Sequence, residues 1–240
     1  MPEINTVTKD SRLEWEKNIA DMFQEIADSY EKINTFISLG MDQGWRKFQL
    51  KRVEQYFKDD LVLDIGCGPG SLAALSKKVL PKANFISTDI SWRFLEIAAN
   101  SGNADKVAQV SASDLPFKDN SFGAIVSAFV LRNLPDMERF YKECHRTLKK
   151  DGIVCMLDLT QPSFKPIGFF HSLYMKMALP LGAKIYGSKV EAYKYLDRSI
   201  KNCYAPQEMR DILEKTGFEV LHVDGKCMGT VTIYTARVKK

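Results

Sequence analysis

Three glycines stand at alternate positions directly after a short apolar run, in the segment LDIGCGPG at residues 63–70. Glycine lets the backbone turn tightly and approach a ligand without a Cβ in the way. The next apolar run ends in Asp89, about 20 residues further on, where an acid can accept two hydrogen bonds from a ribose diol. Together these features predict a nucleoside site, although the glycines also suit a plain strand-to-helix turn and Asp89 also suits a cap for a helix starting at Ser91.

The form of the glycine segment narrows the class of ligand. The segment reads G-x-G-x-G, with the acid Asp64 two residues ahead of it. Dinucleotide-binding enzymes instead carry G-x-G-x-x-G, and phosphate-binding loops carry G-x-x-x-x-G-K-[ST]. We therefore expect neither a dinucleotide nor a phosphate cradle at this turn.

From residue 61 onward, short apolar runs alternate with helical patterns. The strands and helices that they predict must hold the glycine turn in place. Strands are predicted at 61–65, 84–90, 107–111, 122–130 and 152–159, with helices at 71–80, 93–100 and 136–150. Such βαβ units form a mostly parallel sheet with helices on both faces. After a further helix at 206–217, the β-rich runs 218–225 and 229–238 predict a closing antiparallel hairpin. The expected fold is an α/β, Rossmann-like sheet of seven strands.

Residues outside these units form two additions to the sheet. Residues 11–57 have helical periodicity, so we predict an N-terminal helical cap at 1–57 ahead of a domain at 58–240. Residues 161–205 form an insertion after the fifth strand, rich in Phe and Tyr, that we interpret as a lid or substrate wall.

Composition excludes several classes of function. The chain has 240 residues, with 34 basic and 30 acidic side chains, a balance too even for nucleic-acid binding. Its five cysteines include no C-x-x-C pair, so neither a disulfide framework nor a metal site is expected. The N-terminus is polar, and no apolar run reaches the roughly 18 residues of a membrane span. We expect a cytoplasmic protein.

At these motifs the sequence resembles the class I S-adenosylmethionine-dependent methyltransferases. Their first motif is similar to LDIGCGPG, and their third strand is followed by a D-x-LPF segment, here SASDLPFKDNSF at 111–122. The resemblance implies S-adenosylmethionine as cofactor, with Asp89 on the ribose and Ile90 packed on the adenine. The other residues placed in the cofactor site are Gly66, Cys67 and Gly68 around the methionine end, Ser111 and Ala112 at the adenine edge, and Asp64, Gly70 and Ala128.

Three further stretches resemble the ubiquinone/menaquinone C-methyltransferase (UbiE-type) family. They are MFQEIADSYEKINTFISLGMDQGWRKF (22–48), SAFVLRNL (127–134) and the segments LDLTQPSFKP, LPLGAKIYG and AYKYLDRSI within 157–200. This resemblance implies methylation of a ring carbon in a prenylated, demethylmenaquinol-like quinol. Two alternatives stay open: a methyltransferase for another lipid or a small phenol or amine, and a non-catalytic S-adenosylmethionine-binding protein.

The UbiE-type resemblance also implies an acceptor site. Arg132 would stabilise the phenolate or polarise a water, Asn133 would orient that water or a ring oxygen, and Tyr30 would close the pocket. Arg132 could instead pair with an acid such as Asp136, and Tyr30 could be part of the core. Among the histidines, only His171 is placed for acid–base catalysis.

A prenylated acceptor implies peripheral membrane contact. The lysines of the insertion, Lys165, Lys176 and Lys184, would face anionic headgroups. A homodimer is also expected.

Overall fold

The computed structural model describes residues 8–59, 61–162, 165–187, 195, 199 and 203–239. Two helices come first, α1 (Lys9–Ile37) and α2 (Met41–Tyr56), as the periodicity predicted. The turn between them is left-handed at Gly40, where φ is 77°. The Gln49 amide fastens α2 to the sheet, because its Nε2 donates to the carbonyl oxygens of Ser127 (2.9 Å) and Cys155 (2.7 Å).

One seven-stranded sheet forms the centre of the described chain. Its strands are β1 (Leu61–Ile65), β2 (Asn84–Asp89), β3 (Val107–Gln109), β4 (Phe122–Ala128), β5 (Leu148–Leu159), β6 (Phe218–Lys226) and β7 (Val231–Val238). They lie in the order β3-β2-β1-β4-β5-β7-β6, and β7 runs antiparallel to both of its neighbours while the other pairs are parallel. The predicted mostly parallel sheet and its closing hairpin are confirmed.

Helices cover both faces of this sheet. They are α3 (Ser71–Val79), α4 (Trp92–Asn100), α5 (Met137–Thr147), α6 (Lys165–Ile185) and α7 (Pro206–Lys215). Successive strand residues face opposite sides, so Val154 packs against α5 and α7, whereas Cys155 packs against α2 and α3. Two apolar cores result, one on each face, as the predicted α/β architecture requires.

The predicted helix at 136–150 is too long. The helix ends at Thr147, and Leu148 already pairs with Phe122 as the first residue of β5. The side chain of Leu148 is 1% exposed, so core burial and strand pairing outweigh three more helical residues. The predicted stop at Asp151-Gly152 is instead a bulge within β5, with Asp151 at a φ of 61°.

Candidate active site

A cleft opens at the carboxyl ends of the parallel strands, where the strand order reverses between β1 and β4. Its space, including the open mouth, is about 970 Å³. The loops after β1, β2, β3 and β4 form one wall and α1 forms the other. The predicted site residues that line it are Tyr30, Asp64, Gly66, Cys67, Gly68, Asp89, Ile90, Ser111, Ala112, Ala128 and Asn133.

The glycine turn is held against the neighbouring strand. Gly66 and Gly68 have φ values of 66° and 54°, in the left-handed region that favours glycine. A Cβ on Gly66 would lie 2.3 Å from Cγ2 of Val130, so the turn and the loop after β4 are in close contact. The N–H of Gly68 donates to Oδ2 of Asp89 at 2.8 Å. Glycine is therefore required at Gly66 by both conformation and space.

Asp89 accepts hydrogen bonds from the protein backbone and also lines the cleft. Its Oδ1 accepts from the N–H of Ser91 at 2.8 Å, which holds the turn before α4, although Ser91 and not Asp89 is the N-cap of that helix. Asp89 also lines the cleft. Burial raises the pKa of Asp89 to about 6, although the hydrogen bonds from Ser91 and Gly68 act in the opposite direction. Each oxygen keeps a lone pair, so Asp89 can still accept from a diol.

Asp64 contributes an unsatisfied carboxylate at the end of β1. The residue is 1% exposed, and its Oδ2 finds no hydrogen-bond partner among the described residues. Burial and the nearby charge of Asp89 raise the pKa of Asp64 to about 7, although Arg46 acts in the opposite direction. An orphaned carboxylate oxygen beside a cleft is suited to a ligand cation. Together with Asp89, it fits the ammonium group and ribose of S-adenosylmethionine.

Three charged residues that line this cleft were missed at the level of sequence, and they are Glu16, Glu31 and Arg46. Glu16 on α1 is 9% exposed, and its Oε1 is buried without a hydrogen-bond partner in the described part of the chain. Arg46 on α2 pairs with Asp42 and lies 5.2 Å above the ring of Phe129. The signal was present, because Asp42, Arg46 and Gln49 place polar residues at helical spacing on the buried face of α2.

Tyr30 and Asn133 both lie in the cleft with defined neighbours. The Tyr30 ring packs edge-on against Phe94, with centroids 5.0 Å apart, and it is a half-buried residue of the cleft lining. Asn133 is 7% exposed, and its Oδ1 accepts from the hydroxyl of Tyr195 at 3.2 Å. The nearest acceptor to its Nδ2 is the carbonyl oxygen of Phe129 at 3.5 Å. That long bond leaves the amide able to donate to a ligand oxygen.

Two predicted site residues do not line the cleft. The guanidinium of Arg132 donates to Asp158 Oδ1 at 2.8 Å and to the carbonyl oxygen of Phe129 at 2.7 Å, and its side chain is 4% exposed. Its partner is therefore Asp158 and not Asp136, because β5 lies beside the end of β4. Gly70 packs against the end of α4 and the turn after it, where a Cβ would lie 3.1 Å from Cβ of Ala98 and 2.8 Å from Cβ of Asn103.

The described helix of the insertion is also absent from the cleft lining. α6 packs on α1 by burying Met175 and Leu179 against Ile33, and His171 on α6 does not line the cleft. The interpretation of the insertion as a lid or substrate wall therefore stays a prediction, and α6 itself does not line this cleft. Tyr195 is the described insertion residue that reaches Asn133, and most of the AYKYLDRSI motif lies outside the described residues.

Comparison with known proteins agrees with this geometry. The sequence profile of the ubiE/COQ5 methyltransferase family matches residues 6–238. A demethylmenaquinone methyltransferase of Lactobacillus johnsonii is 34% identical over 232 residues, which is 94% of each chain. One of Thermotoga maritima is 34% identical over 205 residues, covering 85% of this chain and 89% of the relative.

Solved structures share the fold at lower identity. A crystal structure of an S-adenosylmethionine-dependent methyltransferase from Thermotoga maritima has a TM-score of 0.62 at 21% identity, covering 92% of this chain and 99% of that one. The [4+2]-cyclase SpnF has a TM-score of 0.63 at 15% identity, covering 93% and 97%. The fold therefore carries more than one activity, and the sequence match decides between them. Since that match runs almost from end to end, the chain is an S-adenosylmethionine-dependent methyltransferase of the ubiE/COQ5 family.

Proposed function

We propose that the enzyme methylates a ring carbon of a prenylated quinol of the demethylmenaquinol type. One observation supports this acceptor above others: the cleft continues from the strand-end carboxylates to an apolar wall. That wall is formed by Ile19, Phe23, Phe94, Leu134 and Pro135. The names of the relatives, demethylmenaquinone methyltransferases, agree with an apolar ring in this position.

The chain's own residues hold the cofactor in this proposal. S-adenosylmethionine, when bound, supplies an electrophilic methyl group. Asp64 binds its ammonium group through the orphaned Oδ2, and Asp89 accepts from the ribose hydroxyls. Ile90, Ser111 and Ala112 surround the adenine. Arg46 supplies the cation for the carboxylate, since it lines the same cleft.

Glu16 and Asn133 act on the acceptor. Glu16 accepts the proton of the quinol hydroxyl, which makes the ring carbon nucleophilic, and Asn133 Nδ2 donates to the resulting oxygen. Tyr30 restricts the acceptor's position. The ring carbon would then take the methyl group as the sulfur–methyl bond breaks, which leaves S-adenosylhomocysteine, and the same carbon would lose its proton to water, so that the ring regains aromaticity. Positioning and stabilisation of the oxygen charge provide the rate enhancement.

The activity is tested with S-adenosylmethionine labelled on its methyl group. We expect the label in a reduced demethylmenaquinol but not in soluble phenols or amines, with Asp64→Asn giving much weaker cofactor binding. Labelling of an amine or another lipid instead would assign a different acceptor. Cofactor binding without transfer to any acceptor would make the protein a non-catalytic binder.

Glu16→Gln tests the proton acceptor. Because a general base contributes typically 10²–10⁴-fold, kcat should fall by at least about 10² while the KM for S-adenosylmethionine changes little. Glu14→Gln, an exposed glutamate on the same helix, is the matched control and should leave both constants unchanged. An increase in cofactor KM with unchanged kcat would instead assign Glu16 to the adenine.

The proposed acceptor also has a consequence for where the enzyme acts. A prenyl tail dissolves in the bilayer, so the proposal includes peripheral contact of the enzyme with a membrane. Among the described helices, none is long and apolar enough to cross a bilayer.

A further inference from the structure

The outer face of α6 is apolar and uncovered in the described chain. Its inner face is buried on α1, whereas the opposite side presents large apolar side chains to solvent. Their exposed fractions are 67% for Phe169, 66% for Phe170, 47% for Leu173, 68% for Met177 and 52% for Leu181. Soluble surfaces rarely carry a continuous row of this kind without a partner.

Two loop tips carry the same chemistry. Leu39, between α1 and α2, is 72% exposed, and Met228, between β6 and β7, is 79% exposed. Both have a left-handed backbone, with φ values of 53° and 57°. This backbone conformation is unfavourable for residues other than glycine, and at these two positions it does not bury the side chain in the core. Two strained positions therefore hold apolar side chains in solvent.

Contacts join the three segments into one surface. The Tyr174 hydroxyl of α6 donates to the carbonyl oxygen of Ile37, beside the loop tip at Leu39. Cys227, next to Met228, lies 3.8 Å from Met41, sulfur to sulfur. We call this surface the apolar face, formed by Leu39, Met41, Phe169, Phe170, Leu173, Met177, Leu181 and Met228. Of the large apolar residues that are exposed in the described chain, only Leu13, Trp15, Trp92 and Tyr186, which follows the end of α6, lie outside these three segments.

Charge decides what kind of partner fits the apolar face. The α6 sequence KPIGFFHSLYMKMALPLGAKI contains lysines and no acid, and Lys176 and Lys184 are exposed. Lys184 lies on the same side of the helix as Met177 and Leu181, at spacings of seven and three residues. Lysine is depleted in the cores of protein interfaces, whereas at a bilayer it extends its charge to the headgroups while its methylenes remain among apolar groups. An anionic lipid surface therefore fits better than a second copy of the chain.

We propose that the apolar face docks the enzyme on an anionic bilayer, with α6 lying in the plane of the headgroups and Leu39 and Met228 inserted at its edge. The inference rests on the proposed function, because a prenylated acceptor gives the enzyme a reason to be at the membrane. Docking itself needs neither cofactor nor acceptor.

Flotation of the full-length protein with phosphatidylcholine vesicles, with and without phosphatidylglycerol, tests the docking. We expect binding that increases with phosphatidylglycerol and decreases with salt. Phe170→Ser combined with Met177→Ser should lower the partition coefficient by at least about tenfold. Lys176→Glu combined with Lys184→Glu should remove the preference for anionic vesicles. Leu13→Ser is the matched control, since this exposed side chain lies near the other end of α1, roughly 36 Å from Ile37 at 1.5 Å per residue.

Glycine substitutions at the two loop tips distinguish a loss of vesicle binding from a loss of stability. Leu39→Gly and Met228→Gly relieve the left-handed strain, so each should raise the Tm by about 2–4 °C while it lowers vesicle binding. A variant that merely damages the fold would lower both quantities. Equal binding by the wild type and the Phe170/Met177 double variant would overturn the proposal.

Vesicle binding and quinol methylation can each fail independently of the other. Vesicle binding by a protein that methylates no quinol would leave the docking surface standing and remove the acceptor. Methylation of a prenylated quinol with no vesicle binding would overturn the docking surface alone. Sedimentation analysis tests whether a second copy of the chain covers the apolar face instead. If the wild type is a dimer that does not bind vesicles, and the Phe170/Met177 double variant is a monomer, the apolar face would be a dimer interface.

Discussion

At the scale of single residues, Asp64 shows a conflict between stability and binding. In the unfolded chain its carboxyl group has an ordinary pKa, whereas burial raises the folded value to about 7. A raised carboxyl pKa contributes stability at acidic pH, and that contribution is lost as the pH rises through about 7. Above that pH the protein without ligand holds a buried charge, which a cationic ligand would neutralise.

Asp64→Asn should therefore stabilise the protein without ligand while it weakens cofactor binding. At pH 8 we expect the free energy of unfolding to rise by roughly 2–4 kcal/mol, with the difference from wild type vanishing near pH 4. Urea unfolding at both pH values measures the first effect, and calorimetric titration of S-adenosylmethionine measures the second. Asp105→Asn, at an exposed carboxylate, is the control. A difference that is the same at both pH values would contradict the assignment.

Arg132 forms a buried ion pair with Asp158 in the loop after β4, so we expect a structural role for it. Removing one member of a buried ion pair leaves the other charge uncompensated, so Arg132→Ala should lower the free energy of unfolding by about 3–5 kcal/mol. Arg132→Met combined with Asp158→Leu should recover most of that loss. Arg237→Ala breaks an exposed pair with Glu219 and should cost about 1 kcal/mol or less. Normal stability with slow methyl transfer would instead return Arg132 to the catalytic set.

The residues at the cofactor end of the cleft could be predicted from the sequence, whereas the ion pair of Arg132 and the burial of Glu16 could not. Gly66 and Asp89 belong to local patterns, because a strand, a turn and a helix follow one another along the chain. The pair Arg132–Asp158 joins the ends of two strands, and no local pattern contains their register. Glu16 was missed because a glutamate on an amphipathic helix is ordinarily solvated, and only the docking of α1 over the sheet buries it.

At the scale of elements, the strands of the sheet were predicted well because their apolar runs are short and bounded by turn residues. The boundary between α5 and β5 was missed, since Leu148 suits either element and only its pairing with Phe122 decides. The face of α6 that packs on α1 could not be predicted. Its sequence is apolar on nearly all sides, so periodicity alone could not show which face packs on α1.

The contact between the glycine turn and the loop after β4 gives a prediction at this scale. Gly66→Ala should weaken S-adenosylmethionine binding by at least about tenfold, because its Cβ displaces Val130 and its φ is unfavourable for alanine. Adding Val130→Ala should restore part of the affinity. Gly44→Ala, in open space within α2, should instead stabilise the fold by about 0.5–1 kcal/mol.

Titration calorimetry of the single and double variants measures this coupling. Loss of affinity that Val130→Ala leaves unchanged would show that backbone strain, and not the collision, is the cause.

At the scale of the whole molecule, α1 closes the cleft from outside the sheet. Arg12 near its start pairs with Asp114 in the loop after β3 at 2.6 Å, and Trp15 donates to the carbonyl oxygen of Asn133 at 2.9 Å. Further along, Phe23 meets Phe94 of α4. A single helix thus touches the loops after β3 and β4 and the helix that follows β2, so the proposed 1–57 cap and the sheet share one site.

Arg12→Ala should therefore act on ligand exchange more than on folding. The guanidinium is buried, but half of the Asp114 side chain is exposed, so losing the pair loosens α1 without leaving a fully buried charge. We expect S-adenosylmethionine to dissociate about tenfold faster and amide hydrogens in the first turns of α1 to exchange faster, with those of β5 unchanged. Arg93→Ala, which breaks an exposed pair with Asp28 further along α1, should change neither rate. Stopped-flow dissociation and hydrogen exchange by mass spectrometry measure the two effects, and equal dissociation from both variants would show that α1 does not gate the cleft.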